Sequence, residues 1–325
     1  MAEKGFGHVS PNPMVGCLIV HKGEIIGSGY HKVYGGPHAE VNAINSVKNP
    51  GLLNDSIAYV SLEPCSHFGK TPPCADLLIK SGIKKVVIGS LDPNPLVAGQ
   101  GMEKLIQAGI EVKHGVLENE CKKLNKRFFT LINKKRPYII FKWAESADGF
   151  IGSEDTKQIS GLAAQKRLHK WRSEEDAFLV GTNTLLQDNP QLNTRLWKGK
   201  NPIRVAIDFD LKSENKHLKF YDQSQRTIIL NGLKNESSNG IEYIQIPDRK
   251  IETILEALYQ SKISSVVVEG GSMLLNSFID ANLYDEIRIL KSKKLILHNG
   301  IAAPKIDFVA SSSEDLIDDY LTIYE

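Results

Sequence analysis

Apolar and polar positions along the chain fall into two successive blocks, each mixing short β-rich runs with segments of helical period. In the first block, residues 15–20, 57–61, 85–89 and 110–113 read as strands, and residues 39–47, 73–81 and 101–108 carry apolar residues at helical spacing. A polar, basic helical stretch over 118–135 closes this block, and Pro137 ends it. YIIFKWA then opens a new strand, which places a domain boundary near 133–137 and predicts domains 1–134 and 135–325. Beyond it, AFLVG (177–181), IRVAID (203–208), RTIIL (226–230) and SSVVVEGG (264–271) read as strands, with helices over 163–172, 251–261 and 272–281. Strands alternating with helices predict two α/β domains, each a sheet covered by helices.

Bulk properties narrow the class. A chain of 325 residues exceeds one typical core, and 41% hydrophobic with 24% charged residues is an ordinary globular balance. A formal net charge of +2 gives no electrostatic case for nucleic acid or acidic membrane as partner. MAEKGFG lacks the apolar run of a signal peptide, and no later stretch reaches the roughly 18 apolar residues of a membrane span, so a cytoplasmic protein is expected. Four cysteines in this length make no disulfide framework. Cys17 lies in an apolar run and reads as core, and Cys121 reads as incidental, which leaves Cys65 and Cys74 as metal ligands or reactive thiols.

Those two cysteines have company. His38-Ala39-Glu40 follows the turn Gly35-Gly36-Pro37 at the start of a predicted helix, Pro64-Cys65 follows a predicted strand, and Cys74 opens the next helix after Pro72-Pro73. One histidine and two thiolates leave a zinc ion an open fourth position, the arrangement of catalytic sites. Zinc lowers the pKa of a bound water towards about 7. A neighbouring carboxylate, Glu40, then has the placement to carry that proton to a departing amine. The pattern is that of zinc deaminases, except that PCSHFGKTPPC separates the cysteines by eight residues where two are usual. Taken alone, the same residues also fit a closed zinc site or unrelated core positions.

PCSHFGKTPPC, with SPNPMVGCLIV, HAEVNAI and DPNPLVAGQG, resembles the bifunctional riboflavin-biosynthesis deaminase–reductase family over about residues 10–115. The resemblance implies a cytidine-deaminase-like three-layer domain holding one Zn²⁺ per chain on His38, Cys65 and Cys74, with Glu40 catalytic. It further implies that Asn12 and His31 meet the pyrimidine, and that His67 and Lys70 meet the ribose phosphate of a phosphoribosylaminopyrimidine.

In the second block a Gly-Gly after VVVE is weak evidence for phosphate binding, and no G-x-G-x-x-G opens a Rossmann unit. FKWAESADGFI, RSEEDAFLVGTNTLLQDNPQLNTR, NPIRVAID and VVVEGGSMLLNSFI nevertheless resemble that family's reductase domain, which is dihydrofolate-reductase-like and uses NADPH. The resemblance places Ala144, Gln158, Thr184, Asp188, Gly270, Gly271, Ser272, Met273 and Leu274 at the cofactor. It places Lys142, Thr156, Arg172, Leu192, Arg195 and Glu269 at the substrate, the arginines suiting its phosphate. The cofactor supplies the reactive chemistry, so the protein's part is positioning.

This chain departs from the family in several places. DTKQIS stands where G-x-S-x-W-I-[ST] is usual, putting Gln158 where an aromatic is expected and Thr156 where a serine is. Phe209 replaces a small polar residue, the portion after Asp285 matches poorly, and only MAEKGFG precedes the PNP segment where the family has a full helix. The expectation is a cytoplasmic bifunctional enzyme that forms a homo-oligomer, dimer or tetramer, with neither nucleic acid nor membrane as partner. Three rivals are a deaminase whose second domain only binds or scaffolds, a non-enzymatic zinc protein, and a nucleic-acid-editing deaminase. The last needs a basic groove with stacking aromatics, against an aromatic content of 7% here.

Overall fold

Two units divide the chain at Met1–Lys135 and Arg136–Glu325. The computed structural model describes all residues except 69–71, 96, 154–157 and 215, so Lys70 and Thr156 lie outside the described residues.

The first unit has strands β1 (Gly16–His21), β2 (Glu24–Tyr30), β3 (Ile57–Leu62), β4 (Lys85–Ser90) and β5 (Glu111–Lys113). Its helices are α1 (Ala39–Asn45), α2 (Cys74–Lys80), α3 (Gln100–Gln107), α4 (Glu118–Leu124) and α5 (Lys126–Lys134). The sheet order is β2-β1-β3-β4-β5, with β1 antiparallel to both neighbours and β3, β4 and β5 mutually parallel. Strand side chains alternate between faces. Cys17, Ile19, Ala58, Val60, Val86 and Ile88 share one face with Ala39, Ala43, Ala75, Leu78 and Leu105 of α1, α2 and α3. Gly89, in the opposite phase, faces α4: a Cβ there would lie 2.3 Å from Cys121 Sγ. Helices on both faces make three layers.

Two differences from the sequence reading have physical causes. Strand β2 was hidden by its glycines, which α1 requires: a Cβ on Gly29 would stand 2.3 Å from Ala43 N. The stretch expected as one helix over 118–135 is two, α4 and α5, separated by Asn125. The buried Asn125 amide accepts from Met14 N at 2.7 Å and donates to Met14 O at 2.9 Å. Where the resemblance implied a leading helix, a short 3₁₀ turn over Ala2–Gly5 is present, and Ala2, Val9 and Met14 form a small apolar cluster.

The second unit continues with β6 (Tyr138–Glu145), β7 (Phe150–Gly152), α6 (Leu162–Glu174), β8 (Ala177–Gly181), α7 (Thr182–Asp188), β9 (Ile203–Ile207), β10 (Thr227–Asn231) and β11 (Glu236–Ser238). It ends with β12 (Ile241–Gln245), α8 (Ile251–Gln260), β13 (Ser265–Val268), α9 (Ser272–Asp280), β14 (Glu286–Ser292), β15 (Ile301–Ala302), β16 (Ser312–Asp315) and β17 (Asp319–Tyr324). The large sheet runs β11-β12-β10-β9-β8-β13-β6-β14-β17-β16. It is parallel from β12 to β14 and antiparallel at both edges. Ile139, Phe141, Leu179, Val266 and Val268 pack with α8 and α9 on one face, while Ile140, Phe178, Val180 and Val267 pack with α6 and α7 on the other. Strands buried on both faces are uniformly apolar, which is why these runs stand out in the sequence.

Candidate active sites

In the first unit the functional side chains sit where strands give way to helices. His38 is the N-cap residue of α1, Glu40 lies in its first turn, and Cys74 is the first residue of α2. His38 Nδ1 stands 3.5 Å from Cys65 Sγ and 3.3 Å from Cys74 Sγ, and the donor atoms of the three residues all lie within 4.8 Å of one another. A tetrahedral ion with bonds of about 2.0–2.3 Å holds its ligand atoms about 3.6 Å apart, so this donor set fits zinc. Cys74 N donates to Cys65 Sγ at 3.3 Å. The Cys65 thiol is lowered to about 4, chiefly by the Cys74 side chain and further by His38, while Cys74 is pushed up by its hydrogen bond to Cys65. One thiolate is thus already favoured, the form that binds a metal.

These groups open on a cavity of about 380 Å³ whose walls include Asn12, His31, His38, Glu40, Cys65 and His67. Asn12 Nδ2 donates to His31 Nε2 at 3.3 Å, and His31 Nδ1 donates to Pro37 O at 3.1 Å, which assigns the neutral tautomer. Burial lowers the His31 pKa, consistent with that neutral ring. Glu40 is buried, and burial pushes its carboxyl up to about 7. Several wall residues escaped the sequence reading: Glu63, Asp92, Asn94, Tyr34 and Phe128. The signal for two of them is that Asp92 and Asn94, within DPNP, are polar groups just beyond a strand end, where ligands of α/β sheets gather.

In the second unit a cavity of about 610 Å³ lies beyond the carboxyl ends of β8 and β9, lined by Thr184, Gly271, Met273 and Leu274 among others. Gly181 and Gly271, the N-cap residues of α7 and α9, have no side chain to cap their helices, and both line this cavity. Phe209, Asp210, Lys212, Arg249, Lys250 and Glu252 also line it, Arg249 pairing with Asp210 at 2.9 Å and its guanidinium lying 4.6 Å over the Phe209 ring. Gly270 and Ser272 flank Gly271 in sequence, Ala144 lies half-buried one residue before the end of β6, and Asp188 and Gln158 are exposed outside this cavity's walls.

A charged cluster connects β6, α6 and the end of β13. Glu269 meets Lys142 at 3.2 Å and Arg172 at 3.2 Å. Burial pushes the Glu269 carboxyl up, but Lys142 and Arg172 outweigh it and the net shift is downward. Arg172 Nη1 donates to Asn193 O at 3.3 Å and Arg195 Nη1 to Asn193 Oδ1 at 3.0 Å, while Leu192 is buried in the core between them. The sequence reading missed His169, buried beside this cluster and lowered to about 4 by burial and by Arg172 and Arg195.

The two units correspond to two known domain types. Residues 1–90 match the cytidine and deoxycytidylate deaminase zinc-binding region, and residues 137–296 match the RibD C-terminal domain. That combination defines the class: a deaminase joined to a reductase. A riboflavin biosynthesis protein RibD from Actinobacillus pleuropneumoniae is 41% identical over 309 residues, spanning 91% of this chain and 82% of the relative. The solved structure of a diaminohydroxyphosphoribosylaminopyrimidine deaminase/5-amino-6-(5-phosphoribosylamino)uracil reductase from Thermotoga maritima is 40% identical, with a TM-score of 0.90 over 99% of this chain and 94% of that one. A RibD structure from Acinetobacter baumannii aligns with a TM-score of 0.84 at 31% identity, over 99% and 94% of the two chains. The chain belongs to the RibD family, the bifunctional deaminase–reductases of riboflavin biosynthesis.

Proposed function

We propose that the first unit hydrolytically deaminates 2,5-diamino-6-(5-phosphoribosylamino)pyrimidin-4-one, and that the second reduces the ribosyl group of the product to ribityl with NADPH. The observation that carries the first half is the His38–Cys65–Cys74 donor set on a cavity wall beside buried Glu40. Those three residues would hold one zinc ion per chain, which would supply Lewis acidity to make water nucleophilic near neutral pH. Glu40 takes a proton from the attacking water and returns it to the ring's amine as the C–N bond breaks and ammonia leaves. Asn12 and the neutral His31 ring would orient the pyrimidine, and His67, on the wall of the same cavity, would meet the ribose phosphate.

In the second unit, NADPH supplies the reducing equivalent. Helix starts at Gly181 and Gly271 favour its phosphates, with Lys212, Arg249 and Lys250, which pair with Asp210 and Asp248, at the rim. Lys142, Arg172, Arg195 and Glu269 hold the phosphoribosyl substrate, Glu269 keeping two of the cations in place. Among the described residues no helix is long and apolar enough to cross a membrane, and we assign the enzyme to the cytoplasm as a homo-oligomer. Light scattering on the purified protein tests the assembly, a monomer mass counting against it. The function itself is tested by supplying the diaminopyrimidine substrate and NADPH and following both ammonia and NADPH. Ammonia followed by stoichiometric NADPH oxidation is expected; ammonia with no oxidation would reduce the second unit to a binding module.

A further inference from the structure

One buried carboxylate in the first unit has no place in that mechanism and an unusual set of partners. Glu63, one residue beyond β3 and two before Cys65, is 5% exposed. Its Oε2 accepts from Asp92 N at 3.2 Å and Gly99 N at 3.0 Å, and its Oε1 from Gly101 N at 2.9 Å and Met102 N at 3.2 Å. The donors come from both ends of the connection between β4 and α3, the connection that puts Asp92, Asn94 and Val97 on the cavity wall. Backbone closeness reinforces the junction: a Cβ on Gly101 would stand 1.9 Å from Pro64 O. Glu63 N itself donates to Ser90 O at 2.9 Å, where β4 ends.

We propose that Glu63 is a positioning residue of the deaminase, clamping the wall formed by Asp92, Asn94 and Val97 to the segment that carries Cys65. Four N–H donors converge on one side chain. A carboxylate can accept all four, whereas an amide of the same shape presents its own N–H₂ to two of them. The first turn of α3 adds its positive end to the same carboxylate. The position of that wall relative to the zinc ligands is therefore set by Glu63, and with it the fit of the ring. This rests on the deaminase reading above.

The test uses the full-length protein loaded with zinc. Glu63→Gln is expected to raise the deaminase KM about 10-fold while kcat falls less than about 3-fold. Zinc content and NADPH oxidation on pre-deaminated substrate stay at parent values. Gly101→Ala, which keeps the carboxylate but crowds the same junction, its Cβ falling 1.9 Å from Pro64 O and 3.2 Å from Glu63 Oε1, is expected to raise KM in the same way. A merely structural role would lower kcat at constant KM, by shrinking the active fraction, or would release zinc. Either result, or an unchanged KM in both variants, overturns the proposal. Failure of the underlying reading is separate and visible first, as a parent enzyme that releases no ammonia.

Discussion

The two units place their chemistry in opposite ways. In the first, the proposed zinc donors and Glu40 fall within residues 38–74, His38, Glu40 and Cys74 at the starts of two helices and Cys65 just beyond β3, each polar among apolar or turn-forming neighbours. In the second, the charged cluster draws Lys142 from β6, Arg172 from α6 and Glu269 from beyond β13, residues far apart in sequence that a parallel sheet brings together. A local site announces itself as a motif; a site assembled by strand order does not. The contrast also predicts separability: damage to either site should leave the other's chemistry intact.

The largest expected effect is at the metal. Cys74→Ala removes one of three ligands, and ammonia release should fall below detection with zinc lost, while NADPH oxidation on pre-deaminated substrate persists. Loss of both activities would break the separation. Next comes Glu269→Ala, which strands Lys142 and Arg172 without their counter-charge. Breaking such a buried pair costs about 3 kcal/mol, to be read from denaturant unfolding of the second unit, and NADPH oxidation should fail with ammonia release retained. Asn125→Ala leaves the N–H and C=O of Met14 without their partner, at about 1–3 kcal/mol, and loosens the segment bearing Asn12. Its deaminase KM should rise while the reductase is unmoved.

A pH dependence is expected in the second unit as well. His169 has a folded pKa of about 4 against 6.5 for the free group, so the unfolded chain binds the extra proton first as pH falls. Its contribution to stability is complete above about 6.5 and is lost as pH drops towards about 4. Thermal melts of parent and His169→Gln across that range should converge at the acid end; parallel curves would remove His169 as the cause.

These partners also show why some of the molecule was legible in the sequence. The parallel strands β6, β8, β9, β10 and β13 were readable because helices cover both of their faces. Strand β14 was not, since its Glu286 and Arg288 are polar yet buried, Arg288 pairing with Glu286 at 2.6 Å and with Glu175 at 2.9 Å. The exposed edge strand β16 gives no apolar alternation at all. His38, Glu40, Cys65 and Cys74 were legible because metal and proton chemistry demands those residue types at turns. Glu63 and Asn125 were not, because they act on backbone groups far away in sequence, and any carboxylate or amide looks alike until the chain is folded.

The central claim, that Glu40 moves protons beside a zinc held by three other residues, is tested most directly by Glu40→Gln, assayed for bound zinc and ammonia release together. The account predicts one zinc per chain, parent NADPH oxidation on pre-deaminated substrate, and ammonia release reduced by about 10²–10⁴-fold. Ammonia release at the parent rate with zinc in place would contradict it.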